Sequence, residues 1–229
     1  MTLTLPEPYL RQMKQQLGSD FASFLESYCQ PRTYGLRLNL SKLRHDPERL
    51  KVLQEQFRLT RVPWCDNGYY YDEETRPGLH PYHAAGVYYI QEPSAMTAVE
   101  LLAPQPGEIV LDLAAAPGGK STQIAEHLQG EGCLIANDIH PARAQVLSEN
   151  NERMGIANAI VTNETPHRLA TRFPEFFDRI MLDAPCSGEG MFRKEPEAIK
   201  QWSEQQVTIC ATRQQEILRE AVNMLKPGG

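Results

Sequence analysis

The sequence predicts an α/β fold, with a doubly wound parallel sheet carrying helices on its faces and a small α/β unit ahead of it. Three observations carry this expectation. The texture changes at Tyr88, where the apolar run YYI and a helix lead into short aliphatic runs that alternate with amphipathic stretches of helical period, the pattern of parallel strands joined through helices. Before that point the texture is mixed: a glycine-broken helical region, an alternating leucine run and a turn-rich aromatic stretch. The 229 residues, 41% hydrophobic and 23% charged, give ordinary globular usage and room for one large domain or a modest domain with a small appendage.

Residues 7–29 show helical apolar spacing interrupted at Gly18, with Ser19 or Asp20 placed to cap a second helix. TYGLRLNL at 33–40 alternates, which sets Leu36, Leu38 and Leu40 on one face of a half-buried strand. Pro47 lies in the first turn of a helix over 46–57, and the stretch at 62–73 is hairpin-like around Asn67-Gly68. After the apolar run YYI at 88–90, a helix is expected from Ser94 to Leu102, closed by Pro104 and Pro106. EIVLDLA, a helix over 119–128, CLIAND, a helix over 141–154, NAIVTN, a short helical segment, DRIMLDAP and a helix over 204–225 then follow. The boundary is expected after residue 78, with 1–78 the small unit and 79–229 the sheet domain.

The N-terminus MTLTLPEPYLRQ has no basic segment followed by an apolar one, and no apolar run approaches the ~20 residues of a membrane span, so neither secretion nor membrane insertion is expected. Five cysteines, with no CxxC pair and no histidine at ligand spacing, suggest no disulfide framework and no metal site; reduced, cytoplasmic thiols fit best. The net charge of -6 is unevenly divided: residues 1–80 hold 11 Lys and Arg against 10 Asp and Glu, the remainder 12 against 19. Between residues 30 and 61 eight basic residues (Arg32, Arg37, Lys42, Arg44, Arg49, Lys51, Arg58, Arg61) face three acidic ones, a local excess suited to tracking phosphates.

In a doubly wound sheet, ligands bind outside the carboxyl ends of the strands, near the point where strand order reverses. After EIVLDL come Ala114, Ala115, Ala116, Pro117, Gly118, Gly119 and Lys120, small residues that let backbone approach a ligand while the next helix begins with free N–H groups. GGKS falls short of the phosphate-loop pattern because Ala114 stands where its first glycine belongs, and the dinucleotide fingerprint fails for want of a third glycine. Asp138, closing CLIAND, suits the two hydroxyls of a ribose, or the cap of the following helix. Asn163, closing NAIVTN, and Glu164 directly after it suit an adenine edge, or a turn. DRIMLDAP brings Asp183 and then Cys186 to the same edge, with Lys120 and Lys194 as candidate neighbours to lower the thiol's pKa. The basic, aromatic stretch at 188–202 suits a mobile loop that covers a flipped base.

DLAAAPGGKST at 112–122, NDIHPARA at 137–144, MLDAPCSGEGMFRK at 181–194 and LKPGG at 225–229 occur in order at fitting distances. On these segments the chain closely resembles the Sun/Fmu-type RNA cytosine-5-methyltransferases, in particular their RsmF-like ribosomal RNA branch, over essentially its whole length. The resemblance implies a Rossmann-like class I methyltransferase sheet and an S-adenosylmethionine-dependent enzyme acting on carbon 5 of a cytosine in structured RNA, with small-subunit ribosomal RNA the expected partner. Carbon 5 is a poor nucleophile, so a thiolate adds at carbon 6 to make it enamine-like, and loss of the carbon 5 proton later expels the thiolate. By the same resemblance, Ala114 through Lys120 line the methionine part of the cofactor, Asp138 holds the ribose, Asn163 and Glu164 lie on the adenine side, and Asp183 helps fix cofactor and target base. Cys186 matches the Pro-Cys-Ser cysteine associated with releasing the methylated product; in the related DNA enzymes a Pro-Cys cysteine is itself the nucleophile.

In the RNA enzymes the nucleophilic cysteine lies in a Thr-Cys segment just after LKPGG, where this sequence ends at Gly229. The sheet is therefore expected to be incomplete on its C-terminal side and its fourth strand to present an open edge. The alternative to a working methyltransferase is a catalytically incomplete fragment that binds RNA, S-adenosylmethionine or both without turnover.

Overall fold

In the computed structural model, which describes residues 4–229, the glycine-broken N-terminal region folds as α1 (Glu7–Leu17), one tight turn (Gly18–Asp20) and α2 (Phe21–Ser27). Gly18 ends α1 with φ 53°, a backbone angle glycine adopts without steric cost, and its N–H closes on the Lys14 carbonyl. The chain divides into two compact units, one of residues up to Arg32 with Ala184–Glu216, the other of Thr33–Asp183 with Ile217–Gly229.

The second unit opens with β1 (Gly35–Leu38), α3 (Leu40–Leu43), α4 (Pro47–Gln56), β2 (Thr60–Arg61), β3 (Gly68–Tyr70), α5 (Pro81–Ala84) and β4 (Tyr88–Ile90). The four strands form an antiparallel sheet of order β2-β3-β1-β4. The expected hairpin is β2–β3, tightened by the Gly68 N–H donating to the Cys65 carbonyl at 3.0 Å. Leu36, Leu38, Leu53, Phe57 and Tyr88 fill its core.

The expectation for the strand at 33–40 fails in two respects. The alternation at 33–40 does not continue to Leu40: Asn39 caps α3 through its side chain, and Leu40 turns outward at 45% exposure. β1 is also not half-buried, because it is paired on both sides and covered on both faces. The run at 88–90 pairs with β1, Leu36 opposite Ile90 and Leu38 opposite Tyr88, so the first sheet extends past the boundary expected at residue 78.

The parallel sheet follows through α6 (Pro93–Leu102), β5 (Ile109–Asp112), α7 (Gly119–His127), β6 (Cys133–Asn137), α8 (Pro141–Met154), β7 (Ala159–Thr162), α9 (Pro166–Arg172) and β8 (Arg179–Met181). Its order is β7-β6-β5-β8, with Leu111 opposite Ile135 on one side and Ile180 on the other. Alternate residues of each strand face opposite cores, as a period of two requires. Val110, Leu134 and Ala136 pack with Val99, Ile124 and Leu147 of α6, α7 and α8. Leu111 and Ile135 pack with Leu169 of α9 and with Ala221 and Met224 near the end of the last helix. Helices on both faces make the sheet doubly wound. Strand order runs outward from β5 to β7 and then jumps back to β8, so the reversal lies between β5 and β8.

α10 (Pro196–Gln201) and α11 (Glu204–Met224) complete the helices. In the first unit, Tyr9 meets the rings of Phe192 at 5.1 Å and Trp202 at 5.8 Å, both edge-on. The Trp202 indole N–H donates to Glu189 Oε1 at 2.8 Å. This corrects the reading of 188–202 as a base-covering loop, since Phe192 is fully buried and Trp202 is 8% exposed, so neither ring is available to stack on a base.

Candidate functional site

The carboxyl end of β5 delivers Asp112, fully buried, with Oδ2 accepting the Ser121 hydroxyl at 2.7 Å and Oδ1 accepting no hydrogen bond. Burial pushes this carboxyl up to about 6; the Ser121 hydrogen bond and Lys120 oppose the rise, and the negative charges of Asp183 and Asp138 add to it. The segment Ala114–Lys120 then crosses the sheet edge. Ala115 donates its N–H to the Asn137 carbonyl at 2.8 Å, and the Ala116 and Pro117 carbonyls are held by Arg143 and Asn150, each at 2.8 Å. Gly118 sits at φ 113°, with Leu147 Cδ1 3.2 Å from where a Cβ would project, so both backbone angle and space call for glycine. α7 begins at once, leaving its first N–H groups without partners inside the helix.

β6 ends in Asp138, 1% exposed. Its Oδ1 accepts the His140 N–H at 3.0 Å, while the buried Oδ2 lies 3.3 Å from the Arg143 guanidinium in an ion pair and accepts no hydrogen bond. Asp138 does not cap α8, a position His140 occupies. A buried carboxylate oxygen with no hydrogen bond costs free energy unless a donor arrives, and a pair of ribose hydroxyls is such a donor. Two such oxygens, on Asp112 and Asp138, beside a backbone cradle therefore fit a nucleoside-bearing cofactor. After β7, Asn163 Nδ2 donates to the Asp138 carbonyl at 2.7 Å, and Glu164 pairs with Arg168 at 3.1 Å. Asp183, two residues past β8 and 61% exposed, accepts the Lys120 ammonium at 2.6 Å. The second unit thus joins Ala114–Lys120, Asp138, Asn163, Glu164 and Asp183 at one edge. Cys186 belongs to the first unit, where its thiol is exposed and unbonded to any other cysteine. Lys120, expected beside that thiol, has its ammonium on Asp183.

Sequence reasoning missed Asp112 and Asn137. Asp112 carried a legible signal, an acidic residue ending a buried strand directly before the small-residue turn; Asn137 carried none.

The basic residues of the stretch are mostly exposed, with one buried exception. Arg37 is fully buried, and Lys42 donates to the Ala85 and Arg153 carbonyls, each at 2.7 Å. Arg49, Lys51 and Arg58 pair with Asp46, Glu48 and Asp72, whereas Arg44 and Arg61 are exposed and form no such pair among the described residues. Among the described residues no cluster of His, Cys, Asp and Glu is placed to hold a metal, and no helix is long and apolar enough to cross a membrane.

Residues 99–229 match the family model of the 16S rRNA methyltransferase RsmB/F, and residues 5–93 that of the N-terminal domain of 16S rRNA methyltransferase RsmF. The chain is 38% identical to the ribosomal RNA small subunit methyltransferase F of Escherichia coli (strain SMS-3-5 / SECEC) over its whole length and 49% of that protein. The Citrobacter koseri counterpart is 39% identical over 98% of the chain and 48% of that protein. The chain thus spans about half the length of the curated relatives it matches. Among solved structures, PH0851 is similar at a TM-score of 0.85 and 28% identity, covering 98% of this chain and 51% of that one. A methyltransferase homologue from Pyrococcus horikoshii reaches 0.79 at 28% identity, over 98% and 75%. The sheet edge described above lies within the matched residues, and the chain belongs to the RsmB/F family of 16S rRNA methyltransferases.

Proposed function

We propose that the chain binds S-adenosylmethionine at the carboxyl edge of its parallel sheet and serves methyl transfer to carbon 5 of a cytosine in small-subunit ribosomal RNA. The observation that carries this reading is the buried, hydrogen-bond-free Oδ2 of Asp138 at the end of β6, beside the Ala114–Lys120 backbone. When bound, the cofactor supplies an electrophilic methyl group on a sulfonium. The chain's residues hold and place it. Asp138 takes the ribose hydroxyls, Asn163 and Glu164 border the adenine, and Ala114, Ala115, Ala116, Pro117, Gly118, Gly119 and Lys120 enclose the methionine part. Lys120 holds Asp183 toward cofactor and base through their 2.6 Å contact. Cys186, by its match to the family's Pro-Cys-Ser segment, serves release of the methylated base. The exposed Arg44 and Arg61 are the residues of the basic stretch suited to RNA phosphates, and the part of the chain matching the RsmF N-terminal domain positions the RNA.

Calorimetric titration with S-adenosylmethionine tests the cofactor reading. Saturable binding by the parent chain, lost in Asp138→Ala with the fold retained by circular dichroism, is the expected result. A folded parent chain that binds no cofactor overturns the reading.

A further inference from the structure

The two loops assigned to the cofactor site lie far apart in sequence, one after β5 and one after β7, and neither is bonded directly to the other in the contacts above. The Asn137 side chain, 1% exposed at the end of β6, bonds to both. Its Nδ2 donates to the Leu113 carbonyl at 3.2 Å and to the Glu164 carbonyl at 3.0 Å. Its Oδ1 accepts the Glu164 N–H at 3.0 Å and the Thr162 hydroxyl at 2.9 Å. Both donors and both acceptor lone pairs are used, so the amide is saturated while the carboxylates of Asp112 and Asp138 beside it each keep an oxygen without a hydrogen bond. Its orientation is dictated by backbone: rotating the amide by half a turn would set N–H against the Glu164 N–H and oxygen against two carbonyls.

On this geometry we infer that Asn137 is the positioning residue that sets the width of the cofactor cleft. It fixes Leu113, from which Ala114–Lys120 departs, against Glu164, on the wall assigned to adenine. The inference rests on the cofactor reading above for its functional consequence, but not for the clasp itself. Asparagine is required because the site presents two carbonyl acceptors and one N–H donor. Aspartate has the same shape, offers no donor, and sets a carboxylate oxygen against both carbonyls. A misplaced wall weakens recognition of a ligand that touches both walls even where no contact to that ligand is removed.

The test uses the full chain with Asn137→Asp and the milder Thr162→Val, which removes only the hydroxyl bond to Asn137 Oδ1. The first readout is backbone hydrogen exchange without ligand. Faster exchange at 113–118 and 163–165 in Asn137→Asp, with the β1–β4 sheet protected as in the parent, is expected; unchanged exchange in both loops overturns the clasp. If Asn137→Asp does not fold, Thr162→Val decides alone: faster exchange at 163–165 supports the clasp, and parent-like exchange overturns it. The second readout is calorimetry with S-adenosylhomocysteine and with adenosine. Expected is about tenfold weaker binding of S-adenosylhomocysteine, near the net worth of one or two hydrogen bonds, with a smaller loss for adenosine, which touches fewer walls. Equal losses for the two ligands overturn the width-setting role. A parent chain that binds neither ligand overturns the cofactor reading instead, and hydrogen exchange then still decides the clasp.

Discussion

Replacing Arg37 with methionine removes a guanidinium that has no exposed surface and makes four hydrogen bonds: to Gln91 Oε1 at 3.2 Å, Glu126 Oε2 at 2.6 Å, the Gly119 carbonyl at 3.2 Å and Thr122 Oγ1 at 2.6 Å. Methionine fills most of the volume, so the cost is chiefly electrostatic. Removing one partner of a buried pair costs ~3–5 kcal/mol because the other charge stays buried. Glu126 is 18% exposed and keeps two donors, Asn67 Nδ2 at 2.6 Å and the Leu40 N–H at 2.8 Å, which places the loss near the lower end, ~3 kcal/mol. At ~2–4 °C per kcal/mol for a chain of this size, the thermal midpoint falls by about 6–12 °C. The assay is thermal unfolding by circular dichroism on the parent, Arg37→Met, Glu126→Gln and the double variant. The double variant should be more stable than the two single losses summed, since the charge stranded by the first change is gone. A midpoint for Arg37→Met within about 2 °C of the parent refutes the reasoning. The salt dependence of RNA binding is a second check: a buried side chain releases no counterions, so the slope stays unchanged at temperatures where the variant is folded.

Asp112→Asn should alter the pH dependence of stability. With its carboxyl at about 6 in the fold and ~3.9 unfolded, Asp112 stays protonated in the folded chain while the unfolded chain ionises, so stability falls as pH rises from about 4 to about 6 and is level above. Two pH steps at ~1.4 kcal/mol each bound the effect at about 3 kcal/mol. Without cofactor, the variant's midpoint should gain on the parent's between pH 4 and pH 7; a constant difference counts against a buried, raised carboxyl. Phe192→Ala, in the aromatic cluster with Tyr9 and Trp202, should cost ~3–5 kcal/mol in the unfolding of the first unit, read by tryptophan fluorescence, and a loss under ~1 kcal/mol would mean the ring is not core. Cys186→Ser, at an exposed thiol, should leave the midpoint within ~0.5 kcal/mol of the parent, and a larger shift would mean the thiol is packed.

Much of the sheet domain could be read directly from periodicity and punctuation. The expected helix over 141–154 matches α8 from Pro141 to Met154, because proline at the first turn and Gly155 in the left-handed region are local signals that need no partner. The strands at 109–112 and 133–137 were recognisable because burial on both faces demands continuous aliphatic runs. The fate of the run at 88–90 was not legible. A short apolar run announces a strand but not its sheet, and Tyr88–Ile90 pairs with residues some fifty positions earlier rather than joining the parallel strands that follow.

The site divides in the same way. Asp138 and the Ala114–Lys120 turn were visible because a strand end followed by small residues or an acid has a meaning within a dozen residues. Arg37 and Asn137 were not. Arg37 stands in a basic stretch that suggests phosphate binding, and only the fold brings Glu126 and three further acceptors around its buried guanidinium. Asn137 is one polar residue before an aspartate until β5, β6 and β7 align and supply two carbonyls and an N–H around its amide. By itself the sequence determined the alternation of strands and helices, the turn chemistry and the edge of the sheet at which the acids gather. Tertiary structure alone decided which charges are buried and which loops are tied together. Periodicity is a local property of the chain, whereas a buried polar group is satisfied by partners that chain closure brings from anywhere along it.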